Sequence, residues 1–508
     1  MALKIEDGAK HSGKFAIDGK ALDGELTFAG NETRLYVHSP DFFRPDANED
    51  RCVQGKLHDL TCVSLMACLA GGVPGSTWST EGKFHSADIQ PHYVLHGRRQ
   101  LGPNDQLVQE ISFKLSDAAA IFQDHDAFAT AITPTQAQIR SLTRDMAKVA
   151  KRKIPIGPHP QIAYFTGKTR IFRVKTAYGT VFTSHSPNYS MGGPGGVHID
   201  NHIWTGIRFE KPVIFQTAIE SIFPLLQFMQ IIAGRRQEIS NVSLLLKEKD
   251  PVKKRLGVYW CMPPKRPAEA RRSGTPHVVD LPIDAIREGR LFERVLKDYL
   301  ARHHEWRAAR WRFSDGFAKE QWFDIDRLVG GANMFDLLPS KAVPESMTLT
   351  PELQSAQKDS KARFKALPQS PERDSVLGAL GRLEMPNLKR KIRHRAAPVI
   401  VALDSRLPLL LDVLDLAVDA RNYFVHGGAT KLDFTGVLQP SLHFLTEALE
   451  FTFALSDLHE AGWPIENILR NGTVQSHPFG ALLAAYAGEL DQLKAALPSS
   501  HRLRTAAL

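Results

Sequence analysis

The chain has 508 residues, 43% of them hydrophobic and 23% charged, with a formal charge of +9. That length is too great for one compact core and predicts two or three domains, and the composition is that of a soluble globular protein. No run approaches the ~18 uninterrupted apolar residues of a membrane span, and the opening MALKIEDGAKHSG lacks the apolar stretch of a secretion signal.

Cys52, Cys62, Cys68 and Cys261 form no C-x-x-C pair, so a reduced, cytoplasmic protein without structural zinc is expected. The charge is uneven. Residues 151–200 carry +6 (seven cations against one anion), 251–300 carry +5 (eleven against six) and 351–400 carry +6 (eleven against five). Residues 401–450 carry −4 (three against seven). The basic blocks offer places for a polyanion to dock.

The first part of the chain reads as strands. GKFAIDG, GELTFAG and TRLYVHS alternate apolar and polar residues between turn formers, the pattern of a meander. Similar runs follow at GKFHSADIQPHYVLHG, LVQEISFKLSD, PQIAYFTGKTRIFRVKT, GTVFTSHS and HIWTGIRFEKPVIF. One long helix is predicted over Thr217–Ala233, kinked at Pro224. NVSLLLKEK and RLGVYWCM then read as strands, and PPKRPAEARRSGTP as an exposed loop.

From about residue 285 the periodicity turns helical. Thr350-Pro351-Glu352 is a helix start, and Phe444, Ala448, Phe451, Leu455 and Leu458 make one apolar stripe. The expected architecture is α+β and multidomain: a β-rich, sandwich-like domain over 1–285, a helical bundle over 286–470 and a helical tail over 471–508.

Two tempting motifs fail. TGKTR at Thr166–Arg170 lacks the first glycine of a phosphate loop and leads into a strand instead of a helix. His198, Asp200 and His202 share one strand face, as metal ligands would, but no further ligand is identifiable and a polar strand face is the reading favoured. No metal or other cofactor is called for.

Arginine followed by four to six residues and a histidine occurs ahead of five histidines: Arg51/His58, Arg152/His159, Arg272/His277, Arg421/His426 and Arg470/His477. Glycine or proline interrupts four of them. Only Arg421/His426, in DARNYFVHGGATK, runs unbroken and follows a long amphipathic helix. At 100° per residue, Leu410, Leu414, Ala417, Arg421 and Phe424 fall within about 40° of one line. Arg421 thus lies on the apolar face, where an unpaired guanidinium would cost several kcal/mol. A carboxylate, a ligand or a partner subunit is expected to meet it.

On another face Asp415, Asp419, Asn422 and His426 form a ladder, so Asn422 is placed to orient the His426 ring. Gly427 and Gly428 end the helix, leaving His426 in a last turn whose dipole favours imidazolium, which suits a residue that exchanges protons near neutral pH. Arg421 and His426 stand about 140° apart around a regular helix, which suggests that two copies, facing each other across a two-fold axis, build the site. The same residues also fit an ordinary helix end with Arg421 paired to an acid and His426 as a cap. Both readings stand on the residues alone.

RNYFVHG (Arg421–Gly427) resembles the R-x4–6-H signature of HEPN domains, including the asparagine after the arginine. The remainder resembles the ApeA-like anti-phage proteins, through SGKFAIDGKALDGELTFAGNETRLYVHS, QEISFKLSD and RFEKPVIFQTAIESIFPLLQFMQIIAGRRQEISNVSLLL. That resemblance implies a β-rich sensor domain before a C-terminal HEPN endoribonuclease that needs no metal and acts as a homodimer. Arg421 and His426 would then be catalytic, with Asn422 supporting them. LKRKIRHR supplies Lys389, Arg390, Lys391, Arg393 and Arg395 as a candidate phosphate track or, equally, a solvated helix face. The expected partners are RNA (tRNA or another cellular RNA), a second copy and a phage-derived activator, with no membrane. A non-catalytic HEPN module that binds RNA or protein is the alternative.

Overall fold

The computed structural model describes residues 5–499 apart from 18, 44–51, 71–74, 80–81, 132, 191, 195, 267–273, 428–430 and 471–474, together with 503. Two compact units emerge, interleaved in sequence. The first comprises Met1–Leu226, Gln237–Lys265 and Ile283–Glu293, and the second Gln227–Arg236, Arg266–Pro282 and Arg294–Leu508.

The first unit is built on a 13-stranded sheet. Strand Lys10–Ile17 pairs with Lys20–Thr27 on one side and Val53–Leu57 on the other. Lys20–Thr27 continues to Arg34–Ser39, and Val53–Leu57 to Cys62–Ala70. The long strand Gly82–Gly97 then closes the circuit, setting Ile89 opposite Leu35 on one edge and His96 opposite Val63 on the other. Six strands thus form a ring, and the facing layers expected of a sandwich are opposite walls of one sheet.

Alternation explains the filling: Phe15, Leu26, Leu35, Val37, Val53, Leu65 and Ile89 point inward and are buried. Gly55 is required there, because a Cβ would sit 2.4 Å from the Phe15 ring. Beyond the ring the sheet runs on through Arg255–Trp260, Ile239–Leu246, Val108–Leu115, Ile203–Val213, Gly179–His185 and Arg170–Thr176.

The helix expected over Thr217–Ala233 is two helices, Phe215–Glu220 and Ile222–Ala233. They part at Ser221, because Pro224 has no N–H to give the carbonyl of Glu220. Sequence reasoning missed Gln136–Val149 altogether. That helix is capped by a reciprocal Thr135–Gln138 box and buries none of its residues. Most of the PPKRPAEARR loop lies outside the described residues.

The second unit is helical. Leu442–Glu460 runs through its centre with Phe444, Ala448, Phe451, Leu455 and Leu458 all buried, as their stripe predicts. Against it pack Ile325–Asp336, Leu388–Leu403 and Leu410–His426. Thr350 caps Pro351–Lys365, which with Pro371–Gly381 makes a helical hairpin that buries no side chain.

A charge cluster centred on the fully buried pair Arg310 and Asp457 ties the bundle together. Arg310 donates from Nε (2.8 Å) and Nη2 (2.9 Å) to the two carboxylate oxygens of Asp457 and from Nη1 to the Tyr299 carbonyl (2.7 Å). Arg302 donates to Asp457 as well, at 3.0 Å.

His477, the histidine of one interrupted Arg–His spacing, is buried with both ring nitrogens bonded. Nε2 donates to the Ile231 carbonyl (2.9 Å) and Nδ1 accepts from the Phe479 N–H (3.2 Å), which only a neutral ring can do. Burial depresses its pKa to about 4, and burial followed by Arg310 and Arg307 does the same to His303. A folded pKa below the unfolded one means stability that is intact above about pH 6.5 and drains as pH falls towards 4. Each histidine should contribute a slope of about 1.4 kcal/mol per pH unit in that window. Urea midpoints should therefore fall between pH 7 and 4.5, and by less in His477→Gln.

Candidate active site

Helix Leu410–His426 turns Leu410, Leu414, Ala417 and Ala420 into the bundle, while Asn422, Val425 and His426 face solvent. Gly427 ends it in a left-handed conformation (φ 63°), its N–H bonded to the Tyr423 carbonyl at 2.9 Å. Gly428 lies outside the described residues.

Arg421 is half-buried at the point where this helix meets Ile325–Asp336. Its Nε donates to Asn333 Oδ1 (3.0 Å) and its Nη1 to Asn422 Oδ1 (3.0 Å). The same Nη1 lies 3.3 Å from His426 Nε2. The wheel placed these two residues too far apart to act together in one copy. A wheel projects Cα positions, and the long arginine side chain wraps along the helix to bring its head to the ring. Within one chain the guanidinium and the imidazole are in contact.

Two further expectations change. The half-buried guanidinium meets two amide oxygens, and among the described residues no carboxylate lies within ion-pair distance of it. Its positive charge is therefore oriented but not neutralised. Asn422 bonds to Arg421, so it is Arg421 that meets the His426 ring. Arginine can only donate, so Nε2 accepts at this contact and the ring proton rests on Nδ1.

Residues 10–295 match the family model described as ApeA N-terminal domain 1, and residues 329–467 the one described as Apea-like HEPN. The chain belongs to the ApeA family. It is a HEPN-domain protein of anti-phage defence, and HEPN domains are generally ribonucleases that commonly bind RNA and dimerise. No curated protein and no solved structure matches the chain. The HEPN match spans Asn333 as well as Arg421, Asn422 and His426.

The basic helix Leu388–Leu403 of this ApeA-family chain does not present its five cations as one track. Arg395 is buried, donating to Ser456 Oγ (3.1 Å) and Glu460 Oε2 (2.6 Å) with its guanidinium 5.0 Å from the Trp306 ring, and is removed from the RNA-facing set. Lys389 pairs with Asp419 (2.7 Å), Lys391 with Asp336 (2.9 Å) and Arg393 with Asp415. Those acids belong to the two helices that carry Arg421 and Asn333, so Lys389 and Lys391 flank the site. Arg390 has no ion pair among the described residues.

The other motifs resolve plainly. Lys168 of TGKTR pairs with the buried Asp124 (2.9 Å) and precedes a strand. His198 Nε2 lies 3.3 Å from Asp200 Oδ2, both exposed. Among the described residues no three His, Cys, Asp or Glu side chains gather as metal ligands would.

Asn333 is the residue sequence reasoning missed. The apolar placement of Arg421 demanded a partner but gave no sign that an amide 88 residues away supplies it. Asn333 holds Arg421 in place, so if the pair cuts RNA, Asn333→Ala should lower cleavage roughly tenfold, the worth of one hydrogen bond to a charged group. Asn333→Asp keeps an acceptor but pairs the guanidinium with a carboxylate, so it should restore the melting temperature and not the cleavage. A purely structural role for Asn333 would restore both together.

Proposed function

We propose that this ApeA-family protein is a metal-independent endoribonuclease of anti-phage defence, cytoplasmic and dimeric, whose N-terminal unit senses a phage-derived signal and holds the nuclease inactive until then. The observation that supports it is the Arg421–His426 contact at 3.3 Å beneath a guanidinium that has no acid partner among the described residues. A phosphate oxygen of RNA is the natural counter-ion for Arg421. When it takes the Nη1 donor, His426 Nε2 is released as a base. The ribose 2′-OH gives its proton to Nε2 and its oxygen bonds to phosphorus. The P–O5′ bond breaks, and the leaving oxygen takes up a proton. The products are a 2′,3′-cyclic phosphate and a 5′-hydroxyl. A second copy across a two-fold axis supplies the proton donor. Lys389 and Arg390 would hold flanking phosphates.

The test is incubation of the activated protein with RNA in EDTA, followed by end analysis. Cyclic phosphate ends that disappear in His426→Ala support the reading. No cleavage by any activated form, or equal cleavage by the variant, sinks it. The non-catalytic alternative predicts that His426→Ala loses folding stability and no activity.

A further inference from the structure

A cavity of about 190 Å³ opens in the helical unit between the ends of three helices. Phe317, Phe479 and Leu482 form apolar walls, and Arg327, Glu447 and Glu450 supply charge. The charges are not equivalent. Arg327 is locked onto Glu450 by two bonds, Nε to Oε1 (2.9 Å) and Nη2 to Oε2 (2.7 Å), and spends Nη1 on the Trp322 carbonyl (2.8 Å). Glu320 is held by Arg266 through two bonds of 2.8 and 2.6 Å. Arg235 is engaged with the Gly274 carbonyl.

Glu447 is different. It lies one turn before Glu450, largely covered, and among the described residues it has neither a hydrogen bond nor an ion pair. Nearby His443 is turned to Glu489 at 3.4 Å. A carboxylate taken out of water without a hydrogen bond is expensive, and here burial pushes its pKa upward against the opposing pull of Arg327.

We propose that this cavity is a binding site for a small organic cation, an amine or amidinium on an apolar or aromatic body, with Glu447 as its counter-ion and Phe317 and Phe479 as its walls. The chemistry follows from the mismatch: the walls suit an apolar body, and the one charged group left without a partner is an acid. Arg327 sits on Ile325–Asp336, less than two turns before Asn333. An occupant therefore touches the helix that holds Arg421.

The experiment is calorimetry of the full chain with benzamidine, and with benzoate as a probe of the same shape and opposite charge. It reads binding only, so its outcome is independent of whether the protein cuts RNA. Benzamidine should bind once per chain and benzoate should not. Glu447→Gln should weaken benzamidine at least tenfold while melting no lower than the wild type, since among the described residues the carboxylate makes no hydrogen bond or ion pair that the amide would lose. Ala481→Phe, from a half-exposed position in the lining, should block the cavity and abolish binding without touching the carboxylate. Absence of benzamidine binding at millimolar concentration, equal binding of benzoate, or binding unchanged in either variant overturns the proposal.

Discussion

RNA cleavage by His426→Ala should fall by about 10²–10⁴-fold, the usual worth of a positioned proton donor and acceptor, with the fold intact. The fold is expected to survive because His426 is exposed in the last turn and buries nothing. Arg421→Ala should cost about 10²–10³-fold, as loss of a preorganised donor to developing charge does. Arg421→Lys should not rescue it, because an ammonium cannot bridge Asn333, Asn422 and a phosphate at once. The cis contact at 3.3 Å adds a sharper expectation. Mixed dimers of Arg421→Ala with His426→Ala contain no chain with an intact pair and should stay inactive. Recovery of activity on mixing would mean that arginine and histidine are shared across the two-fold axis.

Asp457→Asn should destabilise the helical unit by about 3–5 kcal/mol, read as a lowered urea midpoint. Asp457 is wholly buried and answers two arginines, Arg310 and Arg302. The substitution leaves Arg310 in the interior against a neutral amide, while Arg302 keeps Asp298. Burial opposes ionisation of Asp457, but Arg310 and Arg302 outweigh it and hold the carboxyl below its usual range. Its contribution is thus present above the ordinary carboxylate pKa and is lost only in stronger acid. Replacing Arg310 alone should also be costly, because it leaves the buried carboxylate with Arg302 as its remaining strong donor.

Much of this was visible in the residues. Gly82–Gly97 was read as a strand from its alternation, and it is one. That the strand pairs on both edges and closes a ring depends on partners up to 54 residues away, such as Leu35 opposite Ile89, which no local pattern encodes. The buried stripe of Leu442–Glu460 was likewise legible, because steps of three and four are local facts.

The basic run misled for a reason that its own periodicity contains. Ile392, Arg395, Ala396 and Val399 fall on one helix face, and that face is buried, so Arg395 had to go inside with them. For the candidate site, the wheel correctly flagged Arg421 as an arginine in need of company. It could not see Asn333, and its treatment of side chains as points on a circle hid the reach of the guanidinium to His426.

The interleaving of the two units limits how the molecule can be taken apart. The chain crosses from one unit to the other at five points, after residues 226, 236, 265, 282 and 293. A fragment that begins at residue 294 would carry Arg421, Asn333 and His426 but lack Gln227–Arg236 and Arg266–Pro282. It would leave His477 without the Ile231 carbonyl and Glu320 without Arg266. No single protease cut or stop codon can release the helical unit whole. Clipping one linker could not free the helical unit, and the other unit could not be exchanged by joining two sequences at one residue.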